Sequence, residues 1–282
     1  MSTSAPYFRP RTLEEAVALL APGHARVLSG GTDFYPALGE GVVREPVVDV
    51  SALRELRGIT RQADSFRIGG LTTWTDIIKA PLPRCFDALK SAAREVGSVQ
   101  IQNRGTVAGN LCNASPAADG VPPLLALDAD VELHSNSGTR KIPLAQFIVG
   151  NRKTQRKPDE LLTAVLVPRD LEDAASAFLK LGSRRYLVIS IAMVAAVVQI
   201  RQGHVLQARI AVGSCSAAPR RLTTLENELR GVPVRDGFDA LVKPEHLAAL
   251  SPINDVRATA EYRFDAALHL VKRALNSCLE NA

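Results

Sequence analysis

Cysteine is scarce in this sequence and scattered along it. The 282 residues hold four, Cys85, Cys112, Cys215 and Cys278, with no CxxC pair and no Cys/His spacing suited to zinc or an iron-sulfur cluster. A disulfide-stapled scaffold and a cysteine-ligated cluster are therefore not expected, and the usage is that of a reducing compartment, so a cytoplasmic protein is expected. Aromatic residues make up only 5% of the chain, with a single Trp. The densest basic run, RKTQRKP from Arg152 to Pro158, has no interleaved aromatic, which removes the stacking half of a nucleic-acid surface and reads as a solvated loop. Long apolar runs are missing too. The longest, LVISIAMVAAVVQI from Leu187 to Ile200, falls short of the ~20 residues that cross a bilayer and reads as core. The opening MSTSAPYFRPRTLEEA has no basic region followed by an apolar stretch, so no secretory signal is expected. Catalytic signatures are also absent: no G-x-x-x-x-G-K-[ST], no H-E-x-x-H, no G-x-S-x-G, no G-x-G-x-x-G between strand and helix. The five histidines, His24, His134, His204, His246 and His269, lack ligand spacing.

What is present is ample core. The chain is 46% hydrophobic and long enough for two domains. Its net charge of +5 suits a small anionic cofactor or an acidic partner, while the spread of Lys and Arg among the acids gives no nucleic-acid footprint. Thr12 with Glu15 predicts a capped helix over LEEAVALLA, stopped by Pro22-Gly23. A short strand, Arg26 to Leu28, runs into Ser29-Gly30-Gly31-Thr32-Asp33 and a helical turn. EPVVDVSAL and SFRIGGL read as strands, TTWTDIIKA and RCFDALKSAAREVG as helices, and Gln100 to Gly120 as a loop. LLALDADVELHS and TRKIPL read as strands around an NSG turn. Farther on, ELLTAVLVP and SAFLKLGSRRY are expected strands, and AMVAAVVQIRQGHVLQARIAVGSCS a hairpin. PRRLTTLENELRG has Pro at an expected helix start, and DVRATAEYRFDAALHLVKRALNSCLE predicts a long helix with a stripe through Ala260, Phe264, Ala267, Leu268, Val271 and Leu275. The change in pattern places a domain boundary near residue 170.

Two separated small-residue segments stand out. Ser29 to Asp33 follows a strand, and QIQNRGTVAGNLCNASPAADG, Gln100 to Gly120, offers glycine, alanine and neutral amides with few large apolar side chains. Such segments also occur in ordinary turns. Two of them facing one ligand would give backbone N–H groups from two sides, which suits a pyrophosphate.

At these residues the chain resembles a known family. VLSGGTDFYPAL together with QIQNRGTVAGNLCNASPAADGVPPLLALDA is similar to the paired flavin loops of the FAD-binding medium subunit of the molybdenum hydroxylases, the xanthine dehydrogenase and carbon monoxide dehydrogenase family. FIVGNRKTQRKPDELLTAVLVP, AFLKLGSRRYLVISIAMVAAVV and INDVRATAEYRFDAALHLVKRAL continue the likeness in order over nearly the whole chain. The resemblance implies an α+β fold: a two-part FAD-binding domain of the vanillyl-alcohol-oxidase type over residues 1–170, split near 55, then a smaller domain with an antiparallel sheet and helices over 171–282. It implies that Ser29, Gly30, Gly31, Thr32 and Asp33 wrap the FAD pyrophosphate, led into by Val27 and Leu28. Thr106, Ala108, Gly109 and Asn110 would close from the other side, Asp119 would contact the polar chain of the flavin, and Lys180 and Ile189 would lie near the isoalloxazine. Three residues depart from the pattern. Ala108 stands where Gly is commoner, Gln102 where Arg is commoner, and Val188 where many relatives carry an acid. A methyl at 108 would push the cofactor outward if that site needs a positive φ.

The same resemblance implies an oxidoreductase subunit that takes electrons from [2Fe-2S] clusters of a small partner subunit through FAD to NAD, a quinone, oxygen or another acceptor. The organic substrate would be hydroxylated at molybdopterin in a large subunit. Expected partners are those two subunits, in a dimer of heterotrimers, with no nucleic acid and no membrane span. Two other readings compete: a self-sufficient FAD-dependent oxidase or reductase of the same fold, and a cofactorless scaffold in which both glycine segments are turns only.

Overall fold

The computed structural model describes residues 5–280; the outermost residues of both expected domains lie outside them. The chain begins with a small parallel sheet made from β1 (Tyr7–Phe8), β2 (Arg26–Leu28) and β3 (Val47–Asp49), in the order β1-β3-β2. Between the first two strands runs α1 (Leu13–Leu20), started by Thr12, whose hydroxyl accepts the Glu15 amide at 3.2 Å. The Glu15 carboxylate reaches back one residue further than a capping box requires, to the Arg11 amide at 2.8 Å. Ala16 and Leu20 of this helix join Val48, Val50, Leu53 and Leu161 in a separate small core. The short α2 (Phe34–Leu38) follows the first glycine segment.

The middle of the chain builds an antiparallel sheet from β4 (Ile59–Arg61), β5 (Ser65–Gly69), β6 (Asp130–Ser135), β7 (Gly138–Pro143) and, after the small hairpin β8 (Ile148–Gly150) and β9 (Lys153–Thr154), β10 (Leu161–Pro168). Its order is β4-β5-β10-β6-β7. β10 is central and buried along nearly its whole length, which is why ELLTAVLVP shows no polar alternation. Inserted after β5 are α3 (Trp74–Lys79), α4 (Asp87–Glu95), α5 (Val99–Gln102), α6 (Val107–Asn113) and α7 (Val121–Ala126), with α8 (Leu144–Phe147) after β7. Thr73 and Asp76 cap α3 reciprocally.

The last part is an antiparallel sheet of β11 (Ala175–Leu181), β12 (Ala192–Arg201), β13 (His204–Gly213) and β14 (Arg220–Arg221), in that order, with α9 (Thr223–Leu229) and α10 (Ala260–Glu280). Gln202 and Gly203 both adopt positive φ, +52° and +74°, and make the tight β12–β13 turn. β12 explains the longest apolar run. Met193, Ala195 and Val197 face the large core of the middle sheet, while Ala192, Val194, Ala196 and Val198 face the helices α9 and α10. A strand covered on both faces needs apolar residues at every position. Among the described residues no helix is long and apolar enough to cross a membrane.

Four local expectations change. Residues 121–126 are helical, because Pro122 and Pro123 sit at the start of α7 where missing amides cost nothing, so only the end of LLALDADVELHS is strand. The stretch read as one loop from Gln100 carries the end of α5 and all of α6. Pro219 precedes β14, and α9 starts at Thr223. The buried stripe of α10 runs through Arg263, Ala266, Ala267, Leu270, Val271, Ala274, Leu275 and Cys278, leaving Ala260, Phe264 and Leu268 half-buried at its edge. A buried arginine inside the stripe is what displaced the apolar count.

Candidate functional site

The two small-residue segments meet in space. β2 ends at Leu28 and the chain turns at once through Ser29 and Gly30 into Gly31, whose φ is +77°. Across from it, Thr106 caps α6: its hydroxyl accepts the Gly109 amide at 3.0 Å and lies 3.1 Å from the Ser29 hydroxyl. The approach is close enough that a Cβ on Gly30 would overlap the carbonyl of Arg104. A Cβ on Gly31 would meet the Tyr35 ring at 2.7 Å. Gly30 therefore serves backbone proximity, and Gly31 supplies the positive φ and the room for the Tyr35 ring. Gly105 and Gly120 lie against the buried Trp74. The Trp74 amide bonds to the Gly105 carbonyl at 3.2 Å, and the Val107 amide to the Thr72 carbonyl at 2.9 Å, so the second segment is fixed to the α3 start.

A cleft of about 730 Å³ opens beside this junction, within the ~300–1,000 Å³ of ordinary ligand sites. Val27, Ser29, Gly30, Gly31, Thr32 and Asp33 line it from one side and Thr106, Ala108, Gly109 and Asn110 from the other. Leu161 and Leu162 of β10 contribute an apolar wall, and Arg152, Thr154 and Arg156 a polar one. A second concavity of about 480 Å³ shares Ser29, Gly30, Gly31 and Thr106, adds Leu28, and carries Arg9, Arg54, Arg57 and Arg104.

The chemistry of the larger cleft is that of an anion receptor. Among the described residues the amides of Gly30, Gly31, Thr32 and Asp33 donate to no protein acceptor. The turn that leaves these successive amides unspent is a backbone nest. The Asn110 Oδ1 is buried without a partner, a cost that a donor on a ligand would remove. Cys112 also lines the cleft, but burial pushes its thiol up to about 11, so it is a neutral thiol at pH 7. No group of metal-ligating side chains forms among the described residues. A ligand with a diphosphate, neutral polar arms and apolar rings fits these walls, which is the composition of FAD.

Asp119, Lys180 and Ile189 stand elsewhere. Asp119 is buried and accepts Lys180 Nζ at 2.7 Å and the Ser190 hydroxyl at 2.6 Å; Lys180 also reaches the Glu95 carbonyl at 3.4 Å. Burial pushes the Asp119 carboxyl up, against the pull of Lys180 and Ser190. This pair joins the second glycine segment to β11 and lines neither cleft. Ile189 is 51% exposed on the segment between β11 and β12, where Val188 packs on Gly182. Ala108 lies inside α6, buried in the large core, with a helical rather than positive φ. The positive φ on which the expected outward push depended is therefore absent, although Ala108 still stands in the cleft lining.

Sequence reasoning missed the basic wall. RKTQRKP was expected as a solvated loop, yet Arg152 and Arg156 line the cleft because the β8–β9 hairpin folds back on the end of α6. Only long-range pairing reveals this; the visible signal was the basic run itself.

Comparison with known proteins identifies the family and the fold. The pattern of the FAD binding domain in molybdopterin dehydrogenase matches residues 2–170, and that of the carbon monoxide dehydrogenase flavoprotein C-terminal domain matches residues 177–278. The chain is 34% identical to the xanthine dehydrogenase FAD-binding subunit of Escherichia coli O157:H7, over 99% of this chain and 96% of that protein. It is 32% identical to the 6-hydroxypseudooxynicotine dehydrogenase complex subunit alpha of Paenarthrobacter nicotinovorans, over 96% and 93%. Its fold superposes on a chain of carbon monoxide dehydrogenase from Hydrogenophaga pseudoflava with a TM-score of 0.88 at 27% identity, covering 99% of each.

Proposed function

The chain belongs to the family of FAD-binding subunits of the molybdopterin dehydrogenases, and from that membership we propose that it relays electrons from [2Fe-2S] clusters of a small subunit to an acceptor such as NAD, a quinone or oxygen. A large molybdopterin subunit would oxidise the organic substrate. FAD is the cofactor of this chain, and when bound it supplies the chemistry that joins one-electron donors to two-electron acceptors. The observation that carries the reading is the nest of unspent amides at Gly30 to Asp33 beside the orphaned Asn110 oxygen.

Each part of the site has a task in that reading. The amides of residues 30–33 bind and neutralise the diphosphate without bringing in a mobile cation. Ser29 and Thr106, joined through their hydroxyls, hold the two loops at a fixed separation. Leu161 and Leu162 exclude water from the cofactor's apolar part. We assign Asp119 to the polar chain of the flavin and Lys180 to the isoalloxazine end: the buried pair offers a positively charged donor whose position is set by a carboxylate that Ser190 in turn holds. We place Ile189 beside the ring, the division between domains at residue 170, and the working assembly in the cytoplasm as a dimer of heterotrimers.

The test is the visible spectrum of the purified full chain. One FAD per chain is expected, released intact on denaturation, since among the described residues no histidine lines either cleft and the cysteine that does, Cys112, is a neutral thiol at pH 7. A chain that cannot be loaded with FAD, or flavin that stays with the denatured polypeptide, overturns the reading.

A further inference from the structure

Arg152 is held in the wall of the larger cleft by an unusual pair of residues. It sits in the β8–β9 turn with a φ of +54°, a conformation that costs an L-residue free energy. Its amide donates at 2.9 Å to the carbonyl of Ala114, which ends α6 and is itself left-handed, with a φ of +48°. The Arg152 guanidinium donates to Oδ1 of Asn113, one residue earlier. Two strained non-glycine residues are thus clasped together, and the clasp fixes Arg152 to the same helix whose first turn carries Gly109 and Asn110. One left-handed residue ends a helix and the other makes a hairpin turn, and the bonds between them fix where the Arg152 side chain leaves the backbone.

Arg26, Arg152 and Arg156 line the larger cleft, and Arg152 is the one bonded to the end of α6. Arg26 lies over the Phe34 ring, 4.6 Å from its centroid, and Arg156 donates to the Glu160 carbonyl at 2.7 Å and the Lys157 carbonyl at 3.1 Å. Glu160 is itself paired with Arg140 at 2.5 Å. A guanidinium carries five N–H donors, and Arg152 spends one on Asn113. In FAD the only charged group is the diphosphate, so a cation fixed in this wall with spare donors has one place to act.

We propose that Arg152, positioned by Ala114 and Asn113, is the cationic contact that pairs with the diphosphate of FAD and completes the charge neutralisation begun by the Gly30–Asp33 amides. The proposal rests on the FAD reading above. It gives the basic run a ligand.

Three variants of the full chain test it: Arg152→Gly, Arg152→Gln and Arg152→Lys, each titrated with FAD at low and at 0.3 M salt. Glycine adopts the positive φ freely, so its thermal midpoint without flavin should match wild type, which removes misfolding as an explanation. Loss of a charge-assisted contact should raise the FAD Kd about tenfold or more at low salt for both Gly and Gln. The salt dependence of binding should flatten in both, because fewer ions are displaced on binding. Lysine, which keeps the charge, should recover most of the affinity and the salt dependence. Unchanged FAD affinity in Arg152→Gly overturns the proposal. So does Gln performing like Lys, which would make the Asn113 hydrogen bond the only role. Failure of wild-type protein to bind FAD overturns the cofactor reading itself, a separate result.

Discussion

Two glycines that look alike in the sequence have different jobs in space. At Gly30 a Cβ would overlap the Arg104 carbonyl, a backbone group with no rotamer to yield. At Gly109 a Cβ would touch only the Thr106 hydroxyl, at 3.0 Å, and otherwise project into the cleft. Gly30→Ala should therefore lower the melting temperature of the flavin-free protein, by roughly 2–4 °C for each kcal/mol of overpacking, as well as weaken FAD binding. Gly109→Val should leave the flavin-free melting temperature nearly intact while weakening FAD at least about tenfold, or ~1.4 kcal/mol. Differential scanning calorimetry and flavin titration separate the two. Equal loss of stability in both variants would show that Gly109 faces protein rather than ligand. The sequence identified both glycine segments, since the need for small residues is local. It did not identify Arg152, whose role depends on a hairpin meeting a helix end nearly forty residues earlier in the chain.

At the scale of elements, legibility followed the source of each element's stability. α1 and α3 were readable because their caps lie within a few residues, α4 because its buried stripe Ala88, Leu89, Ala92 and Ala93 repeats at helical spacing, and β10 and the β12–β13 hairpin because length, apolar content and a turn signal coincide. α7 was misread because a buried helix and a buried strand share one composition. The stripe of α10 was misread because Arg263 is 3% exposed yet charged, a burial that only its tertiary partners permit. Arg263 donates to the Ile191 and Ser214 carbonyls and to Asp255 at 2.7 Å. Asp255 in turn accepts the Arg257 amide at 2.8 Å and the Ala258 amide at 3.2 Å, and the Arg257 amide first, then Arg263, holds its carboxyl down at about 2. A carboxyl depressed on folding contributes stability that is present above its unfolded value near 3.8 and is lost as pH falls toward 2. Asp255→Asn should thus cost about 1 kcal/mol at pH 7, discounted for partial exposure, and the gap from wild type should close between pH 4 and pH 2. Urea unfolding across that range measures it. A gap that is constant with pH would assign the effect to packing rather than charge.

At the scale of the whole molecule, the sheets are joined by charge as well as by core. Arg209 of β13, 6% exposed, pairs with Asp170 and with Asp128 at 3.1 Å, and Arg221 pairs with the same Asp128. The buried Lys180–Asp119 pair ties β11 to the second glycine segment. The frame so joined holds no group of metal-ligating side chains among its described residues and no general base lining the larger cleft beyond Asp33 and the paired Glu160. Hydroxylating an aromatic heterocycle or an aldehyde at carbon needs a strong electrophilic centre and a base placed beside the substrate. The isolated chain loaded with FAD should accordingly oxidise no purine, N-heterocycle or aldehyde, while passing electrons slowly from a chemical reductant to artificial dyes. Co-expression with molybdopterin and [2Fe-2S] subunits should restore substrate turnover. The assay runs the same substrate panel on the lone chain, checked free of molybdenum and iron, and on the purified complex. Turnover by the lone chain would replace the relay with a self-sufficient flavin oxidase. Turnover by the complex that survives removal of FAD with its acceptor unchanged would mean that electrons leave by another route.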